Sequence, residues 1–190
     1  ELRRKLGFKK EFVYLFFGRP GISKGLEYLI NAVPLISKAI PESMLLLVLS
    51  KDPWSGYQKT LKLIESLGLG SRVKLCDSLP QKCLFETIVA ADCAVIPSLA
   101  EGFGFAASEA CSLECPVVST TAGSLPEVVF GKVIFVKPRS SESLAEGVTA
   151  GHQGRWQIIP RKKFSWEKCV DEYEKLYKRL MLQVEPRQIL

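Results

Sequence analysis

Cys93-Ala94-Val95-Ile96 runs directly into Pro97-Ser98-Leu99-Ala100-Glu101-Gly102-Phe103-Gly104-Phe105-Ala106-Ala107-Ser108-Glu109-Ala110, and this stretch decides the fold. Four apolar residues without polar alternation predict a strand covered on both faces. Pro97 ends the strand, and Gly102 and Gly104 open the backbone of the loop that follows. The small and apolar residues over 105–114 predict a helix. A buried strand, a glycine loop and a helix in that order form the repeating unit of a parallel α/β sheet.

The same unit recurs in both directions along the chain. Val13–Phe17, Met44–Leu49, Val73–Cys76, Val117–Thr120 and Val133–Val136 read as further strands, and helical period covers about 25–39, 57–67, 81–91 and 141–148. Six strands with intervening helices predict a doubly wound, mainly parallel, Rossmann-like sheet with helices on both faces. Gly151 to Lys163 breaks this rhythm and reads as a basic loop. Ser165 is then expected to cap a C-terminal helix from Trp166 to about Leu182, with Glu167 in its first turn and Lys178-Arg179 near its end. That charge order suits the helix dipole. One domain is expected over 1–190, with its core over about 12–150 and its last helix over about 165–182.

Composition narrows the class. The 190 residues are 47% apolar and 24% charged, as in an ordinary globular protein. Met44–Leu49, the longest unbroken apolar run, has six residues, against the roughly 20 of a membrane-spanning helix. The first residues have no apolar stretch of signal-peptide length and no initiating Met, so the chain is expected to begin inside a longer protein. None of the six cysteines forms a C-x-x-C pair, and several sit in apolar runs. Free thiols in a reducing compartment, and hence a cytoplasmic location, are the expectation. Net charge is +6, with clusters at Arg3-Arg4-Lys5, Lys9-Lys10, Arg161-Lys162-Lys163 and Lys178-Arg179. Such clusters serve as a solvated surface or attract phosphorylated ligands, and they leave peripheral contact with an anionic membrane open. No aromatic residues interleave with them as a single-strand platform would need, so nucleic acid is not an expected partner.

In open α/β sheets, ligands gather beyond the carboxyl ends of the strands. After the first strand stands Gly18-Arg19-Pro20-Gly21-Ile22-Ser23-Lys24-Gly25. Two cations on a glycine-punctuated loop before a helix can neutralise an anion, although basic residues on such loops are common. The loop is neither G-x-x-x-x-G-K-[ST] nor G-x-G-x-x-G. After the fourth strand, Gly102 and Gly104 expose backbone N–H groups at the start of a helix. Glu101 on the loop and Glu109 in the helix can take different hydroxyls of one ligand. Read alone, Glu109 equally complements a helix dipole, and Glu101 is equally a solvated loop charge.

Taken together, the two loops resemble the C-terminal domain of the retaining GT-B glycosyltransferases of family four, also called group 1. The resemblance is carried by Gly18-Arg19 followed by Lys24-Gly25, and by Glu101 and Glu109 separated by seven residues around Gly-Phe-Gly. Ile96-Pro97-Ser98, Pro116-Val117-Val118, Gly123-Ser124-Leu125-Pro126-Glu127-Val128-Val129 and Phe164-Ser165-Trp166 continue it in order, over roughly residues 12 to 180.

This resemblance implies binding of a nucleotide-sugar donor, such as a UDP- or GDP-hexose, for retaining transfer to an acceptor. Gly18, Arg19 and Lys24 would bind the diphosphate, and Glu109 the ribose. Glu101 would be the catalytic carboxylate, contacting the donor sugar near the reacting carbon together with Gly102, Phe103 and Gly104. No cofactor and no metal are expected. The resemblance also implies an N-terminal acceptor-binding domain that is missing from this chain, so the isolated half is expected to transfer no sugar. His152, the single histidine, is expected in a surface loop. Three departures from the family pattern stand out. Ser50-Lys51-Asp52-Pro53 replaces a Gly-x-Gly turn, Asp77 stands where a glycine commonly follows the third strand, and Ala122 replaces the first of two glycines. The alternative reading is a non-catalytic nucleotide-sugar-binding or regulatory module of the same fold.

Overall fold

The computed structural model describes residues 2–183. Its centre is β1 (Phe12–Gly18), whose residues between Val13 and Phe17 are all buried. Val13, Leu15 and Phe17 point to one face of the sheet and Tyr14 and Phe16 to the other, so both faces must be covered. On either side of it lie β2 (Ser43–Leu49) and β4 (Cys93–Ile96), both parallel to it. Outward follow β3 (Val73–Asp77) beyond β2, and β5 (Val117–Thr120) and β6 (Gly131–Val136) beyond β4, again parallel. A seventh strand, β7 (Gln157–Ile159), pairs antiparallel with β6. The order is β3-β2-β1-β4-β5-β6-β7.

The sheet separates two apolar cores. One side is packed by α2 (Leu26–Ala39), α3 (Trp54–Ser66) and α7 (Ser141–His152). The other is packed by α4 (Gln81–Ala90), α5 (Phe105–Ser112) and α6 (Leu125–Val128). A short helix, α1 (Leu2–Lys5), precedes the sheet. Arg3 on it donates to Asp92 at 2.9 Å and to the carbonyls of Glu11 and Ala90, while the Asp92 carboxylate also accepts from the Val13 N–H at 2.7 Å. Capping follows sequence rules where it can: Ser140 Oγ accepts from the Ser143 N–H at 3.0 Å and begins α7.

The described residues up to Pro160 form one unit and those from Arg161 onward a second. Within the second, α8 (Trp166–Gln183) is capped as its sequence predicts, Ser165 Oγ accepting from the Lys168 N–H at 3.1 Å. Ion pairs Lys168–Glu172 at 3.8 Å and Lys178–Glu174 at 3.3 Å run along its surface.

Two sequence expectations are corrected. The stretch 151–163 is not all loop, because Gln157–Ile159 adds a strand to the sheet, making seven rather than six. Three residues on a sheet edge are too few to show an alternation. His152 does not sit in a loop either. It closes α7, with its ring 4.8 Å from that of Phe12 in an edge-to-face contact, although the residue is exposed. Among the described residues no helix is long and apolar enough to cross a membrane. No disulfide joins any of the six cysteines, and Cys93, Cys111 and Cys115 are buried.

Candidate functional site

The strand order reverses between β1 and β4, so the connections leaving these strands diverge and leave a crevice at their carboxyl ends. Three loops meet there: 19–25 after β1, 97–104 after β4, and 121–124 after β5. They are held together mainly by main-chain contacts. The Leu99 N–H donates to the Ser23 carbonyl at 2.7 Å, and the Ser124 N–H to the Glu101 carbonyl at 3.4 Å. Ser124 Oγ donates to the Phe103 carbonyl at 2.8 Å, and buried Thr120 donates through Oγ1 to the Ser98 carbonyl at 2.6 Å.

This approach is so close that glycine is required at two positions. Gly25 has φ +63°, and a Cβ there would lie 2.0 Å from the Pro97 carbonyl oxygen. Gly123 has φ +56°, and a Cβ there would lie 2.3 Å from the Glu101 carbonyl oxygen. The left-handed backbone and the missing side chain serve the same end, bringing neighbouring loops into direct contact.

On this frame, Lys24 and Glu101 meet although they stand 77 positions apart in the sequence. Lys24 Nζ donates to Glu101 Oε1 at 2.6 Å, and Ser98 Oγ donates to the same oxygen at 2.8 Å. The Glu101 side chain is only 9% exposed. It is therefore not a solvated loop charge; its partners offset the cost of removing it from water. Among the described residues nothing hydrogen-bonds its other oxygen, Oε2.

Arg19 stands exposed on the same loop as Lys24, just beyond the exposed Gly18, and makes no hydrogen bond or ion pair with another described residue. Gly102 is exposed, whereas Gly104 is buried at the start of α5 with φ +90°. The Phe103 and Phe105 rings lie 5.0 Å apart. Glu109 is half-buried in the second turn of α5, without a side-chain hydrogen bond to any described residue. Burial pushes its carboxyl above the usual carboxylate range.

Sequence reasoning missed three contributors. Ser98, Thr120 and Ser124 are small hydroxyl residues in or next to glycine- and proline-containing turns, with nothing in their spacing to mark them. Lys51 and Asp77, at the ends of β2 and β3, pair at 2.7 Å, and the Asp77 carboxylate raises the Lys51 ammonium above its usual range. From α3, Tyr57 Oη also donates to Asp77, at 3.4 Å. A cavity of about 350 Å³ also opens between α2 and α3, lined by Pro20, Ile22, Leu26, Pro53 and Lys59 among others. Neither Lys24 nor Glu101 lines it.

A doubly wound α/β sheet with charged loops at the point of strand reversal is the architecture of one half of a GT-B glycosyltransferase. The model of the family of glycosyl transferases group 1 matches residues 1–155, and the chain belongs to that family. A glycosyltransferase of Methanocaldococcus jannaschii is 31% identical over 94% of this chain and 48% of its own length. Among solved structures, Anabaena HepE in complex with UDP and glucose is similar with a TM-score of 0.71 at 26% identity, over 81% of this chain and 42% of its own. Sucrose-phosphate synthase from Thermosynechococcus elongatus gives a TM-score of 0.70 at 26% identity, over 96% of this chain and 49% of its own. The chain thus spans about half the length of the relatives it matches.

Proposed function

We propose that this chain is the donor-binding half of a retaining glycosyltransferase and takes a nucleotide-sugar such as a UDP- or GDP-hexose. The observation that carries the reading is the Lys24–Glu101–Ser98 cluster at the strand reversal, with Arg19 exposed on the loop that carries Lys24. Transfer builds positive charge on the sugar and negative charge on the departing diphosphate, so cations belong at one end of the ligand and a carboxylate at the other. Arg19 and Lys24, with the open Gly18 backbone, hold the diphosphate. Glu101, with the Gly102-Phe103-Gly104 backbone, faces the sugar near its reacting carbon, and Glu109 accepts from the ribose hydroxyls. The two cations neutralise the leaving group, so binding proceeds without a metal ion.

The acceptor wall belongs to a further domain, as the greater length of the relatives supports. Reaction across a cleft needs both partners at reacting distance, and this half alone transfers no sugar. Six cysteines without a disulfide accord with a cytoplasmic setting.

The test is calorimetry without magnesium, using UDP, GDP and ADP against the parent chain and Arg19→Ala. A charged hydrogen bond contributes roughly 1.5–3 kcal/mol, so Arg19→Ala weakens diphosphate binding about 10- to 100-fold and leaves the bare nucleoside nearly unchanged. Equal losses for nucleoside and nucleoside diphosphate remove the assignment of Arg19.

A further inference from the structure

We infer that Ser98 is a positioning residue, whose hydroxyl keeps the Glu101 carboxylate aimed at the donor sugar once Lys24 has turned to the diphosphate. The inference rests on the reading proposed above and concerns how that site changes when it is loaded.

In the free chain, Lys24 Nζ and Ser98 Oγ both donate to Glu101 Oε1, at 2.6 and 2.8 Å. The two donors differ in what they do when an anion arrives. An ammonium on a flexible stem follows charge, and a diphosphate carries more negative charge than one carboxylate. Lys24 therefore shifts its contact from Glu101 toward the ligand. At that moment Glu101 would lose its cation and face a new anion that repels it.

Ser98 is neutral and is not drawn after the diphosphate. It is also fixed: the residue is 1% exposed, and its carbonyl accepts from buried Thr120 Oγ1 at 2.6 Å. Its O–H thus remains on Oε1 and stops the carboxylate from rotating away. Because both donors use Oε1, the carboxylate presents Oε2, to which no described residue hydrogen-bonds. The side chain that holds Glu101 in the loaded site is therefore Ser98, three residues before it in the same loop.

The measurement is the ratio of calorimetric Kd values for a sugar conjugate and its bare nucleoside diphosphate. The probes are UDP-glucose with UDP, GDP-mannose with GDP, and ADP-glucose with ADP. The chains are the parent, Ser98→Ala, Ser98→Thr, Glu101→Ala and the Ser98→Ala/Glu101→Ala double variant. Ser98→Ala is expected to weaken the conjugate relative to the diphosphate by roughly 3- to 10-fold, the range of one intramolecular hydrogen bond. Ser98→Thr keeps the hydroxyl and restores the ratio, and Ser98→Cys, close to serine in size, serves if the alanine variant melts below the assay temperature. On Glu101→Ala, adding Ser98→Ala changes the ratio little, because the acceptor that Ser98 holds is already gone. Equal weakening of both ligands by Ser98→Ala, or an effect that adds fully to Glu101→Ala, overturns the inference. A Glu101→Ala chain with the parent's ratio overturns the sugar assignment of Glu101 and the inference with it. A parent that binds none of the three pairs overturns the proposed function itself.

Discussion

Gly25→Ala tests whether the site loops are held by direct backbone packing. Alanine at φ +63° costs about 1–2 kcal/mol through its Cβ alone. The added atom would also stand 2.0 Å from the Pro97 carbonyl oxygen and 3.0 Å from its carbon, so the loops must separate by at least 1 Å to reach a separation of 3.0 Å. That movement stretches the Leu99 N–H to Ser23 carbonyl bond from 2.7 Å past hydrogen-bonding range, a loss of about 0.5–1.5 kcal/mol. The sum is about 1.5–3.5 kcal/mol. For a chain of this size each kcal/mol moves Tm by about 2–4 °C, so a drop of about 3–14 °C is expected in a thermal melt. Gly102→Ala is the matched control, since a Cβ there meets nothing within 4 Å and its φ is not left-handed. If Gly25→Ala melts within about 1 °C of Gly102→Ala, direct backbone packing does not hold the loops.

Other consequences can be measured with the same material. Burial raises the Glu109 carboxyl above its unfolded value, so the folded chain binds more protons there and loses stability as pH rises through that interval. Glu109→Gln should accordingly melt above the parent at neutral pH, with the difference vanishing below the ordinary carboxylate range; melts across pH 3–8 that show no convergence would count against it. Tyr14 is fully buried and its hydroxyl has no hydrogen-bond partner among the described residues, so Tyr14→Phe should leave Tm unchanged or raise it; a clear drop in a melt refutes this. Burial holds the Cys93 thiol well above its usual range and pushes Cys115 up to about 12, whereas Cys83 and Cys169 are exposed. A thiol reagent at pH 8 should label Cys83 and Cys169 promptly and Cys93 and Cys115 only after unfolding, as mass spectrometry of timed samples would read out.

The sheet was legible because its six parallel strands are apolar runs set between helical periods, a pattern that burial on both faces writes directly into composition. β7 was not, because Gln157-Ile158-Ile159 gains its strand character only from pairing with β6. The candidate site shows the same division. Residue type and place suggest Lys24, Glu101 and Glu109 as candidates, but the pairing of Lys24 with Glu101 depends on the adjacency of β1 and β4. Sequence also left open whether Glu101 was merely solvated, and burial among Lys24 and Ser98 settles that. The serine and threonine contacts stayed hidden because a hydroxyl's role depends on which carbonyl or carboxylate lies beside it, a matter of tertiary approach rather than local spacing.

The brief edge strand β7 bears on how the protein behaves at high concentration. An open sheet edge invites another chain to pair with it, and natural sheets discourage this with short strands, prolines and charges. Here the edge lasts three residues, and Pro160, which has no N–H to give, follows at once. At the opposite edge β3 carries Lys74 and ends in Asp77, which is tied to Lys51. A flat hydrophobic template for fibre-like growth is thus denied at both ends of the sheet. Clumping of this unit under heat or at high concentration should therefore begin from unfolded chain rather than from native edges docking together.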